Sequence, residues 1–215
     1  RTEIKVTGAG RTDTGVHAKQ LFAHFDVAEI QDLEETIFRL NSFLPKDVVI
    51  KSIQETLPEA HARFDAVARA YEYLIVLQKD PFSENLAYQL YQCPDVELMN
   101  NAAQLLLNHN DFQCFSRSKT DVKTYLCNIS KAVWELDENK LCFTIVADRF
   151  LRNMVRAIVG TLLDVGFGKT SLNDFREILD SKDRSRAGAS APAHGLYLTR
   201  VEYPADIFVN KTTEA

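Results

Sequence analysis

Nowhere does the 215-residue chain run to the ~18 uninterrupted apolar residues that a membrane-spanning helix needs, since its greasiest region, Phe150 to Phe167, is broken by Arg152, Arg156 and Asp164. Close cysteine pairs are lacking too. Cys93, Cys114, Cys127 and Cys142 stand 21, 13 and 15 positions apart, too far for a metal-ligating or thiol-redox motif, and they read as reduced and structural. The five histidines, His17, His24, His61, His109 and His194, are dispersed and give no zinc pattern. With 8 Gly and 6 Pro and no repeat of solenoid length, collagen-like, low-complexity and array architectures are excluded. Positive charge is not in excess, since 25 Lys and Arg against 30 Asp and Glu leave −5, which argues against a generic polyanion binder.

What is present is a folded chain, 46% hydrophobic and 26% charged, long enough for one large domain or two small ones. Its charge is segregated. Residues 26–60 hold 3 basic and 8 acidic side chains and residues 78–111 hold 1 and 5, whereas residues 1–25, 112–131, 142–156 and 182–200 come to +2, +3, +2 and +3. Brought together by the fold, those four tracts would form a positive groove on an acidic body; scattered, they would be ordinary solvated surface.

Alternation and β-branching predict strands at 3–6, 20–27, 48–53, 71–77, 129–136, 141–147 and 196–203, with a hairpin turn at Asp137–Lys140. Helical spacing predicts helices at 32–44, 96–108, 149–165 and 172–180, the last capped by Ser171 and the third ended by Gly166 and Gly168. Strands and helices mix without strict βαβ alternation, which favours an α+β architecture of two sheet-plus-helix domains with mainly antiparallel sheets. The weak link around Pro58 suggests domains at 1–58 and 59–205, with a tail at 206–215. Arg1 carries no basic-then-apolar leader and the following pattern is strand-like, so the chain is expected to begin inside a folded element with sequence upstream.

The segment Gly8-Ala9-Gly10-Arg11-Thr12-Asp13-Thr14-Gly15-Val16-His17-Ala18 invites a nucleotide-loop reading. A dinucleotide fingerprint from Gly8 needs glycine where Asp13 stands, and a phosphate-cradling loop from Gly10 to Gly15 needs Lys and Ser or Thr where Val16 and His17 follow. Both fail. A tight turn remains, presenting Arg11 and Asp13, which fits either a functional cation–carboxylate pair or an Asx-turn beside a solvated arginine.

Gly-Arg-Thr-Asp-Thr-Gly-Val-His-Ala resembles the signature of the TruA-type tRNA pseudouridine synthases. Four further segments are similar to that family's motifs, in its order: Ala68–Ile75 around Tyr71, Asp111-Phe112-Gln113-Cys114-Phe115, Phe150–Arg156, and Ala191-Pro192-Ala193-His194-Gly195-Leu196. The likeness extends to about Pro204; the family's first strand, with its glycine-containing motif and the helix after it, is the departure. The resemblance implies the pseudouridine synthase fold with its active-site cleft between two domains. It also implies a cytoplasmic isomerase of uridines 38–40 in the tRNA anticodon arm, a homodimer, and no cofactor or metal. It makes Asp13 the catalytic residue and Tyr71 the active-site tyrosine.

Isomerising uridine breaks a C–N bond, turns the base and forms a C–C bond, and a nucleophilic carboxylate is the minimal equipment. Desolvation raises a carboxylate pKa, so a cation should partner Asp13 in an apolar pocket. Arg156 is the candidate. Helical steps place Arg149, Arg152 and Arg156 on one side, near Gly160 where another backbone can approach, with Leu151, Met154, Val155, Ile158 and Leu162 facing the core; an amphipathic helix with a basic outer face fits the same pattern. Tyr71 could stack on uracil while its hydroxyl, or a phenolate of lowered pKa, takes the C5 proton; Tyr73 points the same way and reads as packing. Arg11 is expected to contact or replace the flipped nucleotide. Arg152 is a further substrate-binding candidate, and Arg117, Lys119, Lys123, Arg184 and Arg186 are candidate phosphate contacts. An RNA-binding module of the same fold without catalysis is the alternative, favoured by the absent front segment.

Overall fold

A computed structural model describes residues 3–117 and 123–209. In chain order its strands and longer helices are β1 (Thr7–Gly8), β2 (His17–Ala18), β3 (Ala23–His24), α1 (Leu33–Phe43), β4 (Ala68–Val76), β5 (Tyr88–Gln89), α2 (Val96–Leu107), β6 (Ile129–Asp137), β7 (Lys140–Ala147), α3 (Met154–Gly166), α4 (Leu172–Ser181) and β8 (Leu196–Glu202). The α+β expectation holds, and β1–β3, β4–β7, β4–β8 and β6–β7 all pair antiparallel, against parallel β2–β8 and β4–β5.

Two compact units form, each discontinuous in sequence, unlike the linear division at residue 58. The first comprises the described residues of Arg1–Gly10, Phe22–Asp65 and Tyr203–Ala215. It contains the β1–β3 ribbon and α1, which is capped by Asp32 accepting from the Glu35 amide (2.9 Å) and buries none of its side chains. The strands expected at 3–6 and 48–53 are absent. A strand needs a neighbour to complete its hydrogen bonds, and at Ile50 the Asn41 side chain meets that need instead, accepting from the amide (2.7 Å) and donating to the carbonyl (2.9 Å). Within the tail expected at 206–215, the described residues 206–209 are paired rather than free. Phe208 bridges Thr56, and the Leu57 amide donates to the Ile207 carbonyl (3.0 Å).

The second unit comprises Arg11–Leu21 and the described residues of Ala66–Glu202. Its sheet runs β2-β8-β4-β7-β6, with β5 extending the β8 side of β4. Cross-strand register aligns Tyr71 with Ile145 and Ala132, Tyr73 with Phe143 and Trp134, and Ile75 with Leu141. These rows share one face, on which Trp134 stacks on Phe143 at 4.9 Å and a single core joins them to Met99, Ala102, Ala103 and Leu106 of α2 and to α3. The hairpin turns at Glu138–Asn139 as expected, and Ser171 caps α4 in a reciprocal capping box with Asp174. Among the described residues, no helix is long and apolar enough to cross a membrane. All four cysteines are free; Cys114 and Cys127 lie in the core, while Cys93 is exposed.

Helix α3 starts at Met154, so the expectation of a helix from residue 149 is corrected. Leu151 to Met154 form a turn, closed by the Met154 amide on the Leu151 carbonyl (3.1 Å), in which Asn153 takes the left-handed conformation (φ 66°) that asparagine tolerates best after glycine. Arg149 and Arg152 therefore stand on the approach to the helix rather than on its face.

Candidate active site

Glycine is required at one point of the Asp13 loop. The Val16 amide donates to the Asp13 carbonyl (3.1 Å), and Gly15, at φ 85°, takes the third position of the turn, where a side chain would be strained. Gly8 and Gly10 are not crowded. Beyond the turn, β2 adds in parallel to Tyr197–Leu198 of β8, and the Lys19 amide donates to the Leu198 carbonyl (2.8 Å). This pairing seats the loop in the second unit.

There the Asp13 carboxylate meets two arginines. Arg156 Nη1 lies 2.9 Å from Oδ2, and Arg152 Nε lies 4.0 Å from Oδ1. The Asp13 and Arg156 side chains are 23% and 21% exposed, sheltered enough for the close pair to act as a fixed ion pair, whereas Arg152 is 58% exposed and its contact is looser. Arg156 reaches Asp13 at a fixed angle because its Nε donates to the Ala191 carbonyl (2.7 Å), while the Ala191 amide donates back to the Arg156 carbonyl (2.9 Å). Gly160 makes this clasp possible, since a Cβ there would fall on the Ala189 carbonyl. Leu151, Met154, Val155, Ile158 and Leu162 are all buried, as the spacing predicts.

Tyr71 stands on the core face of β4, beside a register shift against β8 of the kind often found next to functional sites, and meets the Phe150 ring edge-on at 5.1 Å. Burial pushes its hydroxyl pKa above 10, the Arg69 charge opposes this, and the Asp13 charge adds to it. The phenolate considered from sequence is thus disfavoured. Tyr73 is fully buried and donates to the Pro192 carbonyl (2.8 Å), and its ring lies where a Cβ on Gly195 would collide with it. It packs, as expected. The Ala191–Leu196 segment accordingly links Arg156 to β4.

The remaining candidates divide. Arg11 is exposed at the loop rim, next to the turn. Exposed Arg117 donates its backbone amide to the Arg152 carbonyl (3.1 Å), bringing the 112–117 segment to the site. Lys119 lies outside the described residues. Lys123 is exposed, and Arg186 forms an exposed pair with Glu177 at 3.1 Å. Arg184 turns inward onto the Ala187 and Gly188 carbonyls and the Ser190 hydroxyl, against the phosphate contact expected of it. Phe112, Cys114 and Phe115 are core residues, while Asp111 pairs with Lys182 at 2.7 Å. Sequence reasoning missed the Ala191 carbonyl, which no residue type advertises, and the Tyr71–Phe150 pairing, although Phe150 stood in a recognised segment. Among the described residues, no three His, Cys, Asp or Glu side chains cluster as metal ligands.

A family model described as tRNA pseudouridine synthase matches residues 102–204. The tRNA pseudouridine synthase A of Porphyromonas gingivalis is 53% identical over 97% of this chain and 84% of its own length. Its namesake from Bacteroides thetaiotaomicron is 48% identical over 100% and 81%, and that from Bacillus subtilis 38% over 94% and 83%. The fold and these likenesses define an isomerase of the pseudouridine synthase class. Within that class, the chain belongs to the tRNA pseudouridine synthase A family.

Proposed function

We propose that the chain isomerises uridine to pseudouridine at positions 38–40 of the tRNA anticodon arm, with Asp13 as the catalytic carboxylate. Conversion of tRNA uridine is the activity that its relatives' names state. The observation that carries the reading is the half-buried Asp13 carboxylate held 2.9 Å from Arg156, near enough to Tyr71 for its charge to act on the phenol.

The reaction releases no atoms. The N1–C1′ bond breaks, the base rotates, a C5–C1′ bond forms, C5 loses a proton and N1 gains one. A carboxylate can hold the sugar or the base covalently between the two bond events, and the 2.9 Å contact with Arg156 fixes the position of the Asp13 carboxylate for that role. The target nucleotide must leave its stack, which costs least in a loop or at a weak stem end. Tyr71 offers an aromatic face with a neutral hydroxyl, and Arg11, planar and exposed beside the turn, fits the space the flipped base leaves. Arg152 and Arg117, with Lys119, supply cations for the backbone. The working form is a homodimer in the cytoplasm, as the resemblance implies, and the four free cysteines suit a reducing compartment. No metal or cofactor enters the proposed chemistry.

Incubating unmodified tRNA with the protein and mapping pseudouridine at each position tests this. Conversion confined to 38–40 is expected. Conversion elsewhere refutes the site assignment, and tight binding with no conversion anywhere supports the RNA-binding module instead.

A further inference from the structure

We propose that Arg184 is a positioning residue for the Asp13–Arg156 pair, acting through the Ala187–Ala191 loop rather than through RNA; this rests on the reading of that pair as the working one. Arg184 opens a short turn after α4 whose start is fixed by Asp183 accepting from the Ser185 amide (2.8 Å). Its guanidinium is spent on the loop. Nη1 lies 3.2 Å from the Ala187 carbonyl and 3.1 Å from that of Gly188, and Nη2 lies 3.0 Å from the Ser190 hydroxyl. Neither carbonyl belongs to a helix or strand, so a side chain is their natural donor. Only a planar fork with several fixed N–H directions reaches all three acceptors; a lysine ammonium does not reproduce it.

The same loop is fastened to α3 at the points that set Arg156. The Gly188 amide donates to Thr161 Oγ1 (2.9 Å), the Ala189 carbonyl fills the space left by Gly160, and Ala191 exchanges hydrogen bonds with Arg156 in both directions. Ser190 also accepts from Asn153 Nδ2 (2.6 Å), and Asn153 directly follows Arg152. Both arginines facing Asp13 are therefore tied to a loop that Arg184 braces from behind. A misplacement of about 1 Å costs on the order of a hundredfold in rate when geometry is the catalyst.

Single-turnover isomerisation and tRNA affinity across salt concentrations, measured for Arg184→Met, Arg184→Lys and Ser190→Ala, test the proposal. For Arg184→Met the isomerisation rate constant is expected to fall about tenfold to a hundredfold, with Kd within about threefold and the salt slope unchanged. Arg184→Lys is expected not to rescue it. On an Arg156→Lys background, Arg184→Met should add less than about twofold, because its effect passes through Arg156. Unchanged chemistry with weaker binding and a salt slope lower by about one would make Arg184 a phosphate contact and overturn the proposal. Should Arg184→Met fail to fold, Ser190→Ala decides alone: a slowed reaction at unchanged Kd supports the proposal and a wild-type rate overturns it. If the unsubstituted protein does not isomerise uridine, the functional reading fails, yet hydrogen exchange of the Arg156 Nε–H still decides this point. Exchange at least tenfold faster in Arg184→Met supports the brace, and unchanged exchange overturns it.

Discussion

At the scale of single residues, the account turns on Asp13, Arg156 and Tyr71. Because burial and the Asp13 charge hold the Tyr71 hydroxyl neutral, its ring should matter more than its acidity. Tyr71→Ala is expected to lose roughly 1–3 kcal/mol of base stacking, while Tyr71→Phe keeps most of it, both read as kcat/KM on tRNA. Because the neutral form is the working one, the kcat/KM profile should show no rise of unit slope between pH 7 and 9; such a rise would mean that a phenolate of raised pKa is required. Asp13 and Arg156 were legible in the sequence because a cation–carboxylate turn and a recognised segment marked them. Arg184 was legible only as a charge. Nothing in a string of residue types says whether a guanidinium faces RNA or its own backbone carbonyls.

Among the elements, α3 shows where periodicity misleads. The apolar spacing 151, 154, 155, 158, 162 is real and all five residues are buried, yet the helix begins at Met154. The same side chains reach the core whether Leu151 sits in a helical turn or in the tight turn at Asn153, so the spacing cannot place the boundary. That difference takes Arg152 off the helix face while leaving it 4.0 Å from Asp13. Strands 48–53 failed for another reason: alternation reports a face but not a partner. Gly160→Ala tests the α3 clasp, since its Cβ would meet the Ala189 carbonyl. A stability loss of about 1–3 kcal/mol in denaturant unfolding is expected, together with slowed isomerisation. The Asp111–Lys182 pair gives a second prediction. Burial raises the Asp111 carboxyl, but the Lys182 hydrogen bond, the Gln113 amide and the Lys182 and His109 charges outweigh it and leave the pKa below 3.8. A depressed folded pKa contributes stability above the unfolded value and loses it as pH falls through the folded one. Unfolding free energy should therefore decline below about pH 4, and less steeply in Asp111→Asn.

Across the whole molecule, a net charge of −5 coexists with an RNA substrate because the basic tracts are not spread evenly. In the second unit, segments 111–117, 148–156 and 182–191 are joined through the Arg117–Arg152 backbone bond, the Lys182–Asp111 pair and the Ala191–Arg156 clasp, and Arg152 and Arg156 of the middle one face Asp13. Affinity for tRNA should fall steeply with salt, and Arg117→Ala should lower the slope by about one. The most direct test of the central claim is pseudouridine formation in tRNA by Asp13→Asn, measured beside its Kd. The account predicts a loss of more than about a thousandfold in rate with affinity within a few-fold. Conversion at near the unsubstituted rate would contradict it.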